Sequence, residues 1–196
     1  ILFLVETNDQ IARWEGEKLS KKQATEVSGV QTIYWLSEFD KVLREVICQA
    51  KSVYLNSNEH LRAASPVETR KMLMEKYPLQ EYERAAPIMH SLRAVKSPIE
   101  IDLMTKASAI NTKAFLRVMK FLKPGVMEYE LEAEFIHEYK RNGATDFSYT
   151  PIIASGASAC VLHYIENNRE CKDGDLVLFD CGNWYANYAS DVTRCF

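Results

Sequence analysis

The stretch LFDCGNWYANYASDVTR, residues 178–194, contains two aspartates among mostly apolar and aromatic neighbours. The pattern predicts two strands joined by a tight loop, and strand alternation puts Asp180 and Phe179 on opposite faces. A loop centred between residues 185 and 186 makes Asp180 and Asp191 direct cross-strand partners, with Cβ atoms about 5 Å apart. We therefore predict a hairpin whose two carboxylates face each other.

Two carboxylates this close repel each other unless one binds a proton or a cation lies between them. Paired carboxylates suit hard or borderline ions such as Mn²⁺, and hydrolytic centres with two metals hold the ions about 3.5–4 Å apart. The alternative is a plain hairpin whose aspartates reach solvent on either side of the loop. The residues by themselves leave both interpretations open.

His163 lies in CVLHYIEN, a segment predicted as a strand, 17 residues before Asp180. Its imidazole suits a metal ligand, a proton carrier or a hydrogen-bond donor to a developing oxyanion, and the alternative is a core histidine with a structural role. Cys160 and His163 have C-x-x-H spacing, which allows a zinc site with Cys171 or Cys181. The irregular cysteine spacing makes that interpretation weak.

Composition narrows the classes of function. The 196 residues are 47% hydrophobic and 26% charged, with a net charge of −3, as in ordinary globular proteins without an electrostatic footprint for nucleic acid or an anionic membrane. No apolar run reaches the roughly 18 residues of a membrane span, and five cysteines without C-x-x-C spacing indicate reduced thiols, so we expect a cytoplasmic protein. No phosphate-binding loop, dinucleotide motif or nucleophile elbow is present, which leaves metal-assisted hydrolysis or a binding domain.

The order of predicted elements divides the chain. Up to about residue 90, strand-like segments alternate with helical ones, an α/β pattern in which capping boxes begin helices at Ser20 and Ser65 and Ser37 caps a third. A third box, S-P-I-E at 97–100, begins a long helix, and a second helix follows at about 128–142. Short strands come after these helices, so we predict an α+β second half and a domain boundary near residues 86–96. The chain begins without methionine, which suggests a fragment of a longer protein.

Several stretches occur together in one order: LRAVKSPIEIDLM, LKPGVMEYELEAEF, SYTPIIASG, LHYIEN, KDGDLVLFDCG and YASDVTR. Over roughly residues 90–196 this series resembles the aminopeptidase P and prolidase branch of the creatinase/methionine aminopeptidase superfamily. The resemblance implies that residues 90–196 form the N-terminal half of a pita-bread catalytic domain. ILFLVETN and RWEGEKL are similar to the end of that branch's α/β N-terminal domain, which assigns residues 1–89 to part of such a domain.

The resemblance also implies a centre of two divalent metal ions, usually manganese. Asp180 matches the family aspartate that chelates one metal, Asp191 the aspartate that bridges both, and His163 the histidine that hydrogen-bonds substrate beside the metals. The remaining ligands, a histidine and two glutamates, are expected beyond Phe196. We therefore expect this chain by itself to bind metal weakly and not to hydrolyse peptides.

The function implied by the resemblance is hydrolysis of the bond between an N-terminal residue and a following proline by a metal-activated water. Peptides with proline second are the expected partners, without nucleic acid or membrane, and a homodimer is expected by analogy. Two alternatives stay open: a dipeptidase for Xaa-Pro dipeptides with the same metal chemistry, and a metal-free binding module of the same fold.

Overall fold

A computed structural model describes residues 1–56 and 65–196, apart from the side chains of Asp9 and residues 65–69. The chain forms two compact units, Ile1–Ala94 and Val95–Phe196. Among the described helices, none is both long enough and apolar enough to cross a membrane. The predicted capping box at residues 65–68 lies outside the described side chains.

The first unit alternates short parallel strand pairs with helices. Its strands pair as β1 (Leu2–Leu4) with β2 (Ile33–Trp35) and β3 (Ser52–Leu55) with β4 (Glu81–Arg84). The helices are α1 (Asp9–Glu15), α2 (Lys21–Ser28), α3 (Phe39–Gln49), α4 (Ser65–Lys76) and α5 (Ala86–Ala94). The predicted α/β pattern is therefore confirmed, with β4, α1 and α5 as elements that the pattern did not reveal.

The caps in this unit show where local signals suffice. Ser20 begins α2 with the predicted capping box, and Gly29 ends the helix in the left-handed conformation with φ 72°. The prediction that Ser37 caps α3 is wrong, because Ser37 lies inside a short 3₁₀ turn, Leu36–Glu38, and donates its hydroxyl proton to Glu6. The Glu38 carboxylate instead accepts from the Trp35 N–H at 2.9 Å and closes this turn.

The second unit begins with two helices, α6 (Pro98–Phe121) and α7 (Glu128–Arg141), which pack together. The predicted box is present, since the Ser97 N–H donates to the Glu100 carboxylate at 2.7 Å. At the end of α7, Gly143 has φ 88°, the left-handed conformation expected just after a helix.

Six short strands then form two three-stranded antiparallel sheets. One sheet has the order β10 (Val192–Cys195), β7 (Val177–Cys181), β6 (Ile152–Ser155). The other has the order β5 (Asp146–Phe147), β8 (Asn183–Tyr185), β9 (Tyr188–Ala189). Helices followed by strands confirm the predicted α+β character of this half.

The core of the second unit lies between the helices and β7. Phe115 of α6, Phe135 of α7 and Phe179 of β7 meet edge to face, with ring centroids 5.0–6.2 Å apart. Burying each ring contributes about 1.5–3 kcal/mol. Because Phe179 fills this core, its neighbour Asp180 is turned to the opposite face of the sheet.

Candidate metal centre

The predicted hairpin is present, but its register differs from the prediction. Asp180 of β7 lies opposite Thr193 of β10, and Cys181 lies opposite Val192. The prediction that Asp180 and Asp191 are direct cross-strand partners is therefore wrong. Asp191 precedes β10 and is a diagonal neighbour of Asp180. At this spacing one long side chain can contact both aspartates.

The turn of the hairpin explains the difference. Tyr185 and Tyr188 pair across β8 and β9, so the turn consists of Ala186 and Asn187. Both have positive φ, 48° and 66°, as a type I′ turn requires. The turn centre therefore lies one residue later than predicted and moves every cross-strand partner by two residues. A move of two residues keeps both aspartates on the predicted face, because strand side chains alternate with a period of two.

Tyr149 joins the two aspartates, although no sequence pattern had marked it as a site residue. Its hydroxyl lies 2.5 Å from Asp180 Oδ1 and 2.9 Å from Asp191 Oδ1, within hydrogen-bond distance of both carboxylates. The available signal was Pro151, since a proline within a strand pattern marks a bulge or an edge. The pairing shows such a bulge: four residues separate Phe147 from Ile152, while only two separate their partners Asn183 and Asp180. Bulges of this kind redirect side chains beside functional sites.

A close backbone contact positions the bulge. Ser148 donates its N–H to the Gly182 carbonyl and its hydroxyl to the Ser190 carbonyl. A Cβ at Gly182 would overlap both the Ser148 hydroxyl and the Ser190 carbonyl oxygen. Glycine at this position therefore lets three chain segments meet, which brings Tyr149 next to the aspartates.

His163 does not lie on a strand as predicted. A 3₁₀ turn covers Gly156–Cys160, and His163 lies in the irregular segment that follows. The strand prediction failed because buried positions do not alternate there: Tyr164 and Asn167 are buried while Leu162 is 90% exposed. Asn167 also has a left-handed backbone, with φ 45°.

The structure nevertheless brings the three predicted site residues to one place. An open pocket of about 400 Å³ is lined by Tyr149, Thr150, Ile152, His163, Ile165, Asp180 and Asp191. The other histidines with described side chains, His90 and His137, are not among these lining residues. Paired carboxylates and one imidazole around a pocket are the donor types of a metal-assisted hydrolytic site.

The Tyr149 hydroxyl is the hydrogen-bond donor that lies between the two aspartates. Burial raises the pKa of the Tyr149 hydroxyl, and its hydrogen bonds to Asp180 and Asp191 raise that pKa further. The phenol therefore keeps its proton at neutral pH and offers a positive hydrogen to two carboxylates. Two carboxylates that converge on one electropositive atom fit a divalent ion.

The described residues around these carboxylates do not complete a set of metal ligands. Within residues 1–56 and 65–196, no three or more histidine, cysteine, aspartate or glutamate side chains are grouped to hold a metal. The zinc alternative gains no support, because Cys171 and Cys181 are buried and Cys160 is exposed. Burial raises the pKa of both buried thiols, which disfavours the thiolate that zinc needs.

Comparison with solved structures identifies the class of fold. A putative aminopeptidase P from Bacillus anthracis matches with a TM-score of 0.88 and 29% identity, over 99% of this chain and 48% of that chain. The fold is therefore that of a pita-bread protein. The chain covers the N-terminal domain and the first part of the catalytic domain, since its α/β unit is followed by two helices and antiparallel sheets.

Family models and relatives agree on the family. Residues 1–54 match the aminopeptidase P N-terminal domain, and residues 102–196 match metallopeptidase family M24. The chain therefore belongs to metallopeptidase family M24, in its aminopeptidase P and prolidase branch. It is 37% identical to the Xaa-Pro aminopeptidase of Escherichia coli over 93% of this chain and 43% of the relative. It is 33% identical to the Xaa-Pro dipeptidase of Mus musculus over 100% of this chain and 40% of that relative. The chain thus spans less than half the length of these relatives.

Proposed function

We propose that the protein is a metal-dependent aminopeptidase that hydrolyses the bond between an N-terminal residue and a following proline. The observation that carries this proposal is the convergence of the Asp180 and Asp191 carboxylates on the Tyr149 hydroxyl, in a pocket that His163 also lines. Similarity to the Xaa-Pro aminopeptidase of Escherichia coli over most of the chain supports it.

Asp180 and Asp191 would be ligands of a centre of two divalent ions, with Mn²⁺ as the proposed metal. Bound ions of this kind polarise a carbonyl and make a water nucleophilic at neutral pH. The remaining ligands, one histidine and two glutamates, are proposed to come from residues beyond Phe196. Tyr149 would orient the two carboxylates, because its protonated hydroxyl lies within hydrogen-bond distance of both.

His163 is the proposed contact to substrate. Its side chain is exposed in the pocket and forms no hydrogen bond with any residue that the structure describes. An imidazole N–H in this setting is available to donate to the carbonyl oxygen of a bound peptide and to stabilise negative charge there during hydrolysis.

The test compares two substrates on the full-length protein with Mn²⁺: the tripeptide Ala-Pro-Ala and the dipeptide Ala-Pro. An aminopeptidase releases alanine from the tripeptide. A protein that hydrolyses the dipeptide and ignores the tripeptide is instead a dipeptidase, the second candidate, which the similarity to the mouse Xaa-Pro dipeptidase supports.

A metal-free binding module is the third candidate, and metal analysis separates it from both enzymes. The purified full-length enzyme should carry Mn²⁺ in proportion to protein, whereas a binding module should carry none and hydrolyse neither peptide. Loss of activity with a chelator and its return with Mn²⁺ would show that hydrolysis requires the metal.

The domain assignment and the cellular setting are parts of the same proposal. Residues 1–89 are assigned to an α/β N-terminal domain of aminopeptidase P type, and residues 90–196 to the first half of the catalytic domain. A cytoplasmic homodimer is the proposed form of the whole protein. Light scattering of the full-length protein measures the oligomeric state directly.

A further inference from the structure

Glu128 is a fully buried carboxylate that the proposed chemistry does not use. It is the first residue of α7 and has 0% exposure. A buried carboxylate is costly unless hydrogen bonds replace its hydration. The partners of Glu128 therefore show what this residue holds in place.

Three donors meet this carboxylate. Oε1 accepts the Ser155 N–H at 2.6 Å, and Oε2 accepts the Tyr164 hydroxyl at 2.9 Å and the Arg169 N–H at 2.9 Å. In addition, the Glu128 N–H donates to the Arg169 carbonyl at 2.9 Å. We call residues 156–169 the histidine loop. Ser155 immediately precedes this loop, Arg169 is its last residue, and Tyr164 lies next to His163 within it.

The histidine loop has little else to fix it. From residue 161 to 169 it has no helix or strand, and its buried side chains are Tyr164 and Asn167. The neighbouring apolar side chains Val161, Leu162 and Ile165 are exposed. The position of His163 therefore depends on the buried ring of Tyr164, which packs against Ile152 and Ala154, and on the polar contacts of the loop.

A second carboxylate on the same face of α7 supports the first. Glu132 is one helical turn after Glu128, and residues four apart share a face of a helix. Glu132 accepts the side-chain amide of Asn167 at 3.0 Å, and the same amide group donates to the Pro151 carbonyl at 3.1 Å. The Asn167 carbonyl oxygen accepts the Ile153 N–H at 3.0 Å.

We propose that Glu128 is a positioning residue for His163: its buried carboxylate fixes the histidine loop so that the imidazole faces the pocket of Asp180 and Asp191. This role rests on the proposed function, in which His163 contacts the substrate. Glu128 is not among the residues that line the pocket, and its carboxylate binds Ser155 at the end of β6 and Tyr164 and Arg169 of the loop.

The first experiment replaces Glu128 by glutamine in the full-length protein with Mn²⁺. The amide has nearly the same size, but its NH₂ group cannot accept a hydrogen bond from an N–H donor. We expect Glu128→Gln to lower kcat by about 10- to 100-fold, as small displacements of positioned groups do. KM and the Kd for Mn²⁺ should change less than about twofold. The matched control is Glu166→Gln, the same change at an exposed residue of the same loop, which should leave all three constants unchanged.

A double variant separates positioning from general destabilisation. If Glu128 acts through His163, then Glu128→Gln should cost little further activity in a His163→Ala background, since residues that act as a unit are not additive. Equal losses in both backgrounds would overturn the proposal.

Tyr164→Phe keeps the ring that packs against Ile152 and Ala154 and removes only the hydroxyl. We expect it to lower kcat about fivefold, and it carries the test if Glu128→Gln does not fold.

A spectroscopic measurement keeps this test separate from that of the proposed function. The imidazole Cε1–Hε1 NMR signal of His163 is recorded on the metal-free full-length protein, because paramagnetic Mn²⁺ broadens nearby signals, and is assigned by its loss in His163→Gln. It should shift or broaden in Glu128→Gln and Tyr164→Phe and stay in place in Glu166→Gln. If the wild-type protein hydrolyses no proline peptide, the proposed function fails while this signal still reports on the loop. An unchanged His163 signal in both variants overturns the positioning role.

Discussion

At the scale of the residue, Asp180 has its orientation set by the core behind it. Its strand neighbours Phe179 and Cys181 are both 0% exposed, so the side chain between them faces the pocket whatever its charge. Asparagine at this position should therefore keep the backbone while removing one negative ligand atom.

We expect Asp180→Asn to weaken Mn²⁺ binding to the full-length protein by at least about 100-fold, more than the loss typical of an outer partner of a metal ligand. Titration calorimetry and kcat measure the effect. Asp173→Asn, at an exposed aspartate of the same unit, is the control and should bind Mn²⁺ like the wild type. Unchanged Mn²⁺ affinity in Asp180→Asn would contradict a metal site at this residue.

At the scale of the element, the β-hairpin depends on two backbone positions with opposite needs. Gly182 has no room for a Cβ beside Ser148 and Ser190, whereas Ala186 has φ 48°, a conformation that costs an L-residue energy.

We expect Gly182→Ala to lower the free energy of unfolding by at least about 2 kcal/mol, because overpacking forces the bulge to move. Ala186→Gly in the same hairpin should raise it by about 0.5–1 kcal/mol, since glycine adopts positive φ without a steric penalty. Urea denaturation of the full-length protein measures both. A neutral Gly182→Ala would show that the three segments do not meet closely at this glycine.

A second element, the turn before β7, should respond to pH. The Asp175 carboxylate accepts hydrogen bonds from the Lys172 N–H and the Ser155 hydroxyl. Both bonds lower the pKa of Asp175, and the bond from Lys172 has the larger effect. A carboxyl whose pKa is lower in the folded state stabilises that state above its unfolded pKa of about 3.9, and this contribution is lost as the pH falls through the folded pKa.

Asp175→Ala should therefore destabilise the protein at pH 7, and its difference from the wild type should shrink as the pH falls below about 4. Thermal unfolding over a pH series measures this difference. Asp173→Ala, at an exposed aspartate of the same turn, is the control for the loss of one negative charge. A difference for Asp175→Ala that stays constant down to about pH 2 would show that the carboxylate form is not what stabilises the turn.

At the scale of the whole molecule, the proposed metal centre needs more ligands than the described residues bring together. The pocket contributes two aspartates and His163, but in the described part of the chain no three histidine, cysteine, aspartate or glutamate side chains are arranged so that they could hold a metal ion. Two carboxylates alone give a weak site for a divalent ion.

We expect the 196-residue chain to bind Mn²⁺ at least about 100-fold more weakly than the full-length protein and to hydrolyse neither Ala-Pro-Ala nor Ala-Pro. Electron paramagnetic resonance of free Mn²⁺ measures the binding, and release of alanine measures hydrolysis. Full Mn²⁺-dependent activity of this chain by itself would refute the need for further ligands.

Much of this fold follows from local signals. The box at Ser97 and Glu100 begins α6, and Gly143 ends α7, because capping involves residues only a few positions apart. Two predictions were wrong because side-chain contacts outweigh the local pattern. Ser37 lies in a 3₁₀ turn that the Glu38 carboxylate closes by accepting the Trp35 N–H, and His163 lies in a segment held by distant side chains.

By itself, the sequence determined most of the helices with their caps, most of the strands, and the face of β7 that carries Asp180, because hydrophobic periodicity and capping act within a few residues. Only the tertiary structure decided the hairpin register, the place of Tyr149 between the aspartates and the loop that presents His163. The register follows from which two residues form the turn. The other two depend on groups far apart in sequence, such as Ser148 with Ser190 and Glu128 with Tyr164. Contacts of that kind form only when the chain has folded, so no local pattern contains them.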